Sequence, residues 1–136
     1  MFSSRPSKPQ NRIDSLVGAG TKINGNVHFS GGLRIDGEVT GNVIADSSKP
    51  STLVLSEKAR VEGEIRVTHL VVNGTVVGPV NAGEYLELQS KSKVTGDVHY
   101  KTLEIQLGAV VEGRLIHLAD SSEKVVAFKL SNSESN

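Results

Sequence analysis

The sequence contains no cysteine and no tryptophan, and aromatic residues make up only 4% of its 136 positions. Missing thiols exclude a disulfide framework, thiolate catalysis and any zinc centre that uses sulfur. They also fit a reducing compartment. An excess of charge is missing too. Fifteen basic residues balance fifteen acidic ones, so no global field recruits nucleic acid or acidic ligands. No apolar run approaches the roughly 18–20 residues that span a bilayer. The start, Met1–Asn11, has charge and proline but no apolar stretch behind it. It does not read as a secretory signal, and the expected address is the cytoplasm.

Motifs that carry chemistry are equally scarce. There is no Gly-x-x-x-x-Gly-Lys-Ser/Thr and no strand-to-helix Gly-x-Gly-x-x-Gly, so nucleotide binding has no support, and Gly18-Ala-Gly20 reads as a small-residue turn. No Gly-x-Ser-x-Gly elbow announces a hydrolase triad. The four histidines, His28, His69, His99 and His117, all lie more than four residues apart. Acid pairs such as Glu62 and Glu64 fall on the outward phase of a strand and read as a solvated face. The expectation is a protein with no catalytic residues, no metal and no cofactor.

What the chain has is glycine, with 14 residues, and β-branched side chains, with Val and Ile outnumbering Leu about two to one. Both disfavour long helices. Residues 1–13 form a basic, proline-bearing tail that cannot offset the entropy of ordering. Residues 119–136 are a second polar tail around one apolar island, Val125, Val126, Phe128 and Leu130, a short strand suited to docking on the core. The structured body is 14–118.

Within that body the odd positions from Ile23 to Ala45 are all aliphatic, aromatic or glycine, and the even positions are nearly all polar or small. This is strand alternation, but it continues for over twenty residues where ordinary strands run about 3–10. Later runs keep the pattern through Leu53–Val67, Val72–Tyr100 and Leu103–Leu115, with Glu57 out of phase and flips near Thr68–His69 and Lys101–Thr102. Leu107 belongs to the inward phase in this reading.

Hairpins would break the phase at turns. A solenoid bends at corners and keeps one face toward its axis, and glycine suits a corner with little inward room and a positive φ. The unit aliphatic-x-Gly-x-aliphatic recurs at Gly25, Gly41, Gly63, Gly78, Gly96 and Gly113, spaced 16, 22, 15, 18 and 17 residues apart. A Leu-x-aliphatic unit precedes most of them. The mean near 17–18 suits one three-sided coil, and the 22-residue interval holds a surface insertion, 45–51. Six coils at about 4.8 Å each make a rod on the order of 29 Å long. His28 and His99 then share a phase four coils apart and cannot ligate one ion. His117 falls on the inward phase near the rod's end as a capping histidine. Asp97 falls beside Arg114. Pro79 would lose a ladder bond within a coil and is assigned to a corner.

A solenoid has two open edges. The first coil, which includes Leu16, Val17 and Ile23, has no evident helical cap, and the last, Gly113 to Leu118, is apolar. Such edges either stack on another subunit or are covered by the tails.

At this point the sequence resembles the bactofilins. The resemblance rests on Leu16-Val-Gly-Ala-Gly-Thr-Lys-Ile-Asn-Gly-Asn-Val27, on Gly32-Leu-Arg-Ile-Asp-Gly-Glu-Val-Thr-Gly-Asn-Val43, and on the later Val-x-Gly-x-Val coils. It covers about 14–118. It implies a right-handed parallel β-helix, a hand the repeat pattern alone leaves open. It implies cytoskeletal proteins that polymerise end to end, without nucleotide, into non-polar filaments on the inner face of the cytoplasmic membrane and position cell-wall enzymes. Under that resemblance Leu16, Val17, Ile23, Leu115, Ile116, Leu118 and Phe128 are the candidate polymer contacts. Met1, Phe2, Arg5 and Lys8 match the start of the family's membrane-targeting tail, and inner-membrane lipid is the implied second partner. Two other readings stand beside it: a left-handed hexapeptide β-helix related to acyltransferases, and a monomeric β-solenoid interaction module.

Overall fold

A computed structural model describes residues 12–119, and among these there is no helix. Every strand pairing is parallel. The chain winds into a β-solenoid of six coils with three faces.

The first face stacks β1 (Ser15–Val17), β4 (Gly32–Ile35), β7 (Thr52–Leu55), the second half of β9 (Ile65–Val72), the second half of β11 (Val80–Leu88) and β14 (Leu103–Ile105). The second stacks β2 (Lys22–Asn24), β5 (Glu38–Thr40), β8 (Arg60–Glu62), β10 (Thr75–Val77), β12 (Lys93–Thr95) and β15 (Val110–Glu112). The third stacks β3 (Val27–Phe29), β6 (Val43–Ala45), the first halves of β9 and β11, β13 (Val98–Tyr100) and β16 (Leu115–His117). β9 and β11 pass from the third face to the first without a break. The sequence flip at Thr68–His69 is this corner, where Val67 and Leu70 both point inward with two residues between them.

Alternation becomes packing directly. Leu33, Leu53, Leu70 and Leu86 stack in one internal column, Ile35, Leu55, Val72 and Leu88 in another, and Val39, Val61, Val76 and Val94 in a third. All are buried. Each such side chain contributes about 1.5–3 kcal/mol on leaving water, and no coil could gain this alone because its interior is one residue thick.

The repeat glycines all take the positive φ expected at a corner, from +137° to +157°, but the expected lack of inward room is replaced by a different crowding. A Cβ built on Gly41, at φ +152°, would stand 2.1 Å from the carbonyl oxygen of Gly25, and one on Gly63 would stand 2.1 Å from that of Gly41. The same collision repeats up the rod at Gly78, Gly96 and Gly113. The crowding therefore comes along the axis, from the glycine of the preceding coil, and not from a narrow interior.

The residue after each glycine explains Pro79. At this corner the amide N–H meets a side chain of the preceding coil instead of its backbone. Asn42 N–H donates to Asn26 Oδ1 and Glu64 N–H to Asn42 Oδ1, both at 2.9 Å. Pro79 occupies the same position in coil 4, so its missing N–H removes no backbone ladder bond, and its carbonyl still accepts from Ile65 at 3.0 Å. Arg114 closes the series: its N–H donates to Asp97 Oδ1 at 3.1 Å and its guanidinium meets Oδ2 at 2.8 Å. The hydrogen bonds from the Arg114 guanidinium, first, and from its backbone amide hold the Asp97 carboxyl below its usual range.

One expectation fails in detail. Leu107 does not point inward. It sits in the turn Gln106–Ala109, closed by Ala109 N–H to Gln106 C=O at 3.2 Å, and is 96% exposed. Its counterpart in coil 3 is Glu57, in the turn closed by Ala59 N–H to Ser56 C=O, the position already out of phase in the sequence.

Candidate assembly surfaces at the terminal coils

Equivalent side chains differ in exposure only by what lies above them. Leu88 is fully buried, whereas Ile105, stacked on it in coil 6, is 47% exposed. Val98 is fully buried, whereas Leu115, stacked on it, is 44% exposed. Leu103, Ala109 and Val111 at the same end are only partly covered, whereas Val110, in register with Lys93, and Leu107, in its turn, are exposed on the outside of the coil. The C-terminal end of the rod is thus a section through the core.

The opposite end is better covered. Val17 is buried and Ile23, Val27 and Phe29 are partly buried. Ser15, not a leucine, stands over Leu33. Asp14 ties the entry down: its N–H donates to Gly32 C=O at 2.8 Å, its Oδ2 accepts from Gly32 N–H at 2.9 Å, and its Oδ1 meets Arg12 Nε at 2.9 Å. The Gly32 amide, with Arg12 beside it, holds this carboxyl below its usual range.

The candidate contacts fall in different places. Val17, Ile23 and Leu115 point inward at the two ends. Leu16, paired with Arg34, and Ile116, paired with His99, point outward from the terminal coils. Leu118 donates its N–H to Tyr100 C=O, where the chain leaves the last coil. Met1, Phe2, Arg5, Lys8 and Phe128 lie outside the described residues. Sequence reasoning missed Ile13, Ile105, Leu107 and Val110, all exposed. The mismatch of Leu107 with Glu57 at the same corner was the one available signal.

Polar clusters inside the body are structural. Thr68 Oγ1 accepts from Ser51 N–H and donates to Ser51 C=O, both at 2.7 Å. With its single proton so used, the 2.9 Å contact to His69 Nδ1 makes that nitrogen the donor. Ser51 Oγ faces the Thr68 amide at 3.1 Å, not the imidazole, so no nucleophile–base pair forms. Glu87 and Glu104 are stacked in register, a repulsive arrangement. It is relieved by the Tyr85 hydroxyl, which donates to Glu104 at 2.7 Å, and by the Gln89 and Gln106 amides, which donate to Glu87 at 3.1 and 3.2 Å. Burial and these carboxylates push the Tyr85 phenol well above its usual range. His28 and His99 share an outward lane with Ile44, Arg66 and Asn81 between them. His117 pairs with Tyr100 in register, exposed and against its ring at 5.6 Å. Among the described residues, no group of three or more His, Asp or Glu is placed to hold a metal, and no helix is long and apolar enough to cross a membrane.

Among the described residues, a ladder of six coils that ends in a section through the core defines a β-solenoid with the means to stack. The family model of the bactofilins, described as polymer-forming cytoskeletal, matches residues 15–116. The chain is 28% identical over 109 residues to bactofilin BacP of Myxococcus xanthus, covering 80% of this chain and 44% of that protein. It is 26% identical over 102 residues to bactofilin BacO of the same organism, covering 75% and 78%. This chain thus spans less than half the length of BacP. No solved structure matches it significantly. The chain belongs to the bactofilin family of polymer-forming cytoskeletal proteins.

Proposed function

We propose that this protein assembles end to end through its terminal coils, without nucleotide, into filaments that serve as a structural scaffold and not as an enzyme. The observation that carries this reading is the pair Val98 and Leu115: one lane, one chemistry, fully buried beneath a coil and 44% exposed where, among the described residues, no coil follows. Another subunit stacked on coil 6 would return Ile105, Val111 and Leu115 to the environment of the interior, and a rod needs no bound energy source to gain that burial. The basic tail with Met1, Phe2, Arg5 and Lys8 would hold filaments against the cytoplasmic face of the membrane. Each subunit adds a weak contact, and the filament multiplies it. Cell-wall enzymes are the partners such a scaffold would position.

The test is negative-stain microscopy and pelleting of the purified protein, with no nucleotide present, beside Leu115→Arg. Filaments are expected for the parent. The variant should keep its far-ultraviolet circular dichroism and lose filaments, because a guanidinium would be desolvated at the junction. A cost of about 3 kcal/mol raises the critical concentration roughly 100-fold. Equal pelleting of both proteins, or a parent that stays monomeric at high concentration, would refute the reading.

A further inference from the structure

The C-terminal end of the rod has an edge on each of its three faces, and the first-face edge has a match within the chain itself. Among the described residues β14 pairs with β11 alone. Its inward side chains are uncovered, Leu103 in part and Ile105 at 47% exposure. Its backbone is open too. Leu86 N–H donates to Thr102 C=O at 2.8 Å, and Leu88 C=O accepts from Gln106 N–H at 2.9 Å, so inward residues of this ladder turn their N–H and C=O toward the next coil. Leu103 and Ile105 stand one coil further in the same register and turn theirs to the open edge.

The sequence beyond the last coil repeats the sequence that brings coil 3 onto this face. Ala45-Asp46-Ser47-Ser48 opens the inserted loop, and Leu53-Val54-Leu55-Ser56 carries the first-face strand that follows it. Ala119-Asp120-Ser121-Ser122 and Phe128-Lys129-Leu130-Ser131 recur in the same order, with five residues between them in place of four. In the first copy Asp46 Oδ1 accepts from the Ser48 N–H at 2.9 Å and from its hydroxyl at 2.8 Å, a turn at the exit from the third face. Seven residues, 46–52, then join Ala45 to Leu53, and ten, 118–127, lie between His117 and Phe128. The reach is sufficient with three residues to spare.

Register and charge agree. With Phe128 on Leu103 and Leu130 on Ile105, Lys129 falls on the outward lane directly above Glu104. That lane ends in two stacked carboxylates, Glu87 and Glu104, and a cation stacked on them is favourable. A shift of one residue turns Lys129 into the core. A shift of two sets Ala127 or Ser131 on Glu104 instead, and the second of these also places Asn132 on Ile105. One register buries two apolar side chains and sets a cation against Glu104.

We propose that residues 127–130 dock on β14 of their own chain as a parallel seventh strand, a strap across the polymer contact surface at coil 6. The strap covers one face of three. Val111 and Leu115, on the second and third faces, stay uncovered by it. A subunit stacking on coil 6 therefore covers more apolar surface than the strap does, and displaces it. That displacement rests on the filament reading; the docking stands apart from it.

The chain has no native cysteine, so three double variants carry defined thiol pairs: Glu104→Cys with Lys129→Cys, with Ala127→Cys, and with Ser131→Cys. Stacked residues have Cα atoms about 4.8 Å apart, within disulfide reach, whereas a partner two residues along the strand is roughly 8 Å away and beyond it. Dilute protein is oxidised with copper phenanthroline, and the intramolecular disulfide is followed by peptide mass spectrometry. The 104–129 bond is expected to form at least fivefold faster than the other two. Three equal rates, or a faster 104–127 or 104–131 bond, would overturn the proposal. So would 104–129 dimers that form as fast from a mixture of the two single variants, because the segment then belongs on a second copy. The oxidised 104–129 protein should pellet at least tenfold less than the same protein reduced, and dithiothreitol should restore pelleting. Strong and equal pelleting of both forms would refute the strap, since it and the next subunit would not compete. Failure of both the parent and the reduced variant to pellet sinks the filament reading alone, and the disulfide rates still decide the docking.

Discussion

Replacing Gly63 by alanine presses on the feature that sets the solenoid's pitch. The new Cβ would stand 2.1 Å from the Gly41 carbonyl oxygen, short of ordinary contact by roughly 1 Å. Relief means lifting coil 3 off coil 2 there. Two ladder bonds flank the spot: Gly41 N–H to Glu62 C=O at 2.9 Å, and Val43 N–H to Glu64 C=O at 2.8 Å. Losing both costs about 1 kcal/mol each. The backbone at φ +153° adds strain of about 1–2 kcal/mol for an L-residue. The expected loss is about 3–4 kcal/mol, a large share of a typical 5–15 kcal/mol. Gly25→Ala is the internal control. It has φ +137° with nothing within 4 Å of the new Cβ, because among the described residues no coil precedes it. It bears the strain without the collision, and the stabilisation from a stiffer unfolded chain is common to both. The two variants should differ by about 2 kcal/mol, or roughly 8 °C in Tm. Guanidinium and thermal unfolding by circular dichroism, on dilute protein, measures this. Variants equal to within about 0.5 kcal/mol would mean that axial contact between glycines does not govern the corner.

Two further outcomes are expected. Asp14, Asp36, Asp46 and Asp97 all titrate below the usual carboxylate range in the folded chain. The chief causes are, in order, the Gly32 amide, the Ser56 hydroxyl, the Ser48 amide and the Arg114 side chain. Folded-state pKa values below the unfolded ones give stability that is present above about pH 4 and lost as pH falls below it. The unfolding midpoint should be level from pH 7 to 5 and decline below 4, and Asp97→Asn should flatten that decline; a midpoint that rises on acidification would contradict the assignment. Deleting residues 1–8 should abolish co-sedimentation with anionic liposomes, where each basic residue is worth about 1 kcal/mol, while filaments still form. Equal liposome pelleting of both forms would remove the tail as anchor.

The coil was legible in the sequence because its cause is local. A buried interior one residue thick forces strict alternation, and a corner that repeats every 15–22 residues leaves a glycine each time, so fold, coil count and the inserted loop could be read from spacing, the loop running 46–51 because Ala45 closes β6. The flip at Thr68–His69 was legible for the same reason: two residues between inward positions shift parity. Leu107 was misassigned because corners between the first and second faces hold either two residues, as at Asp36–Gly37, or four, as at Gln106–Ala109, and parity cannot tell an inward leucine from one at the apex of a turn.

Tertiary structure alone decided the remainder. Pro79 is harmless only because the amide at its position reaches a side chain of the preceding coil. The glycines are required by the carbonyl stacked against them, a neighbour 15–22 residues away in the chain. Leu115 and Val98 are near-identical by pattern, and what separates them is whether another coil lies above. Burial belongs to the stack, and a sequence read one residue at a time records which way a side chain points but not what meets it there.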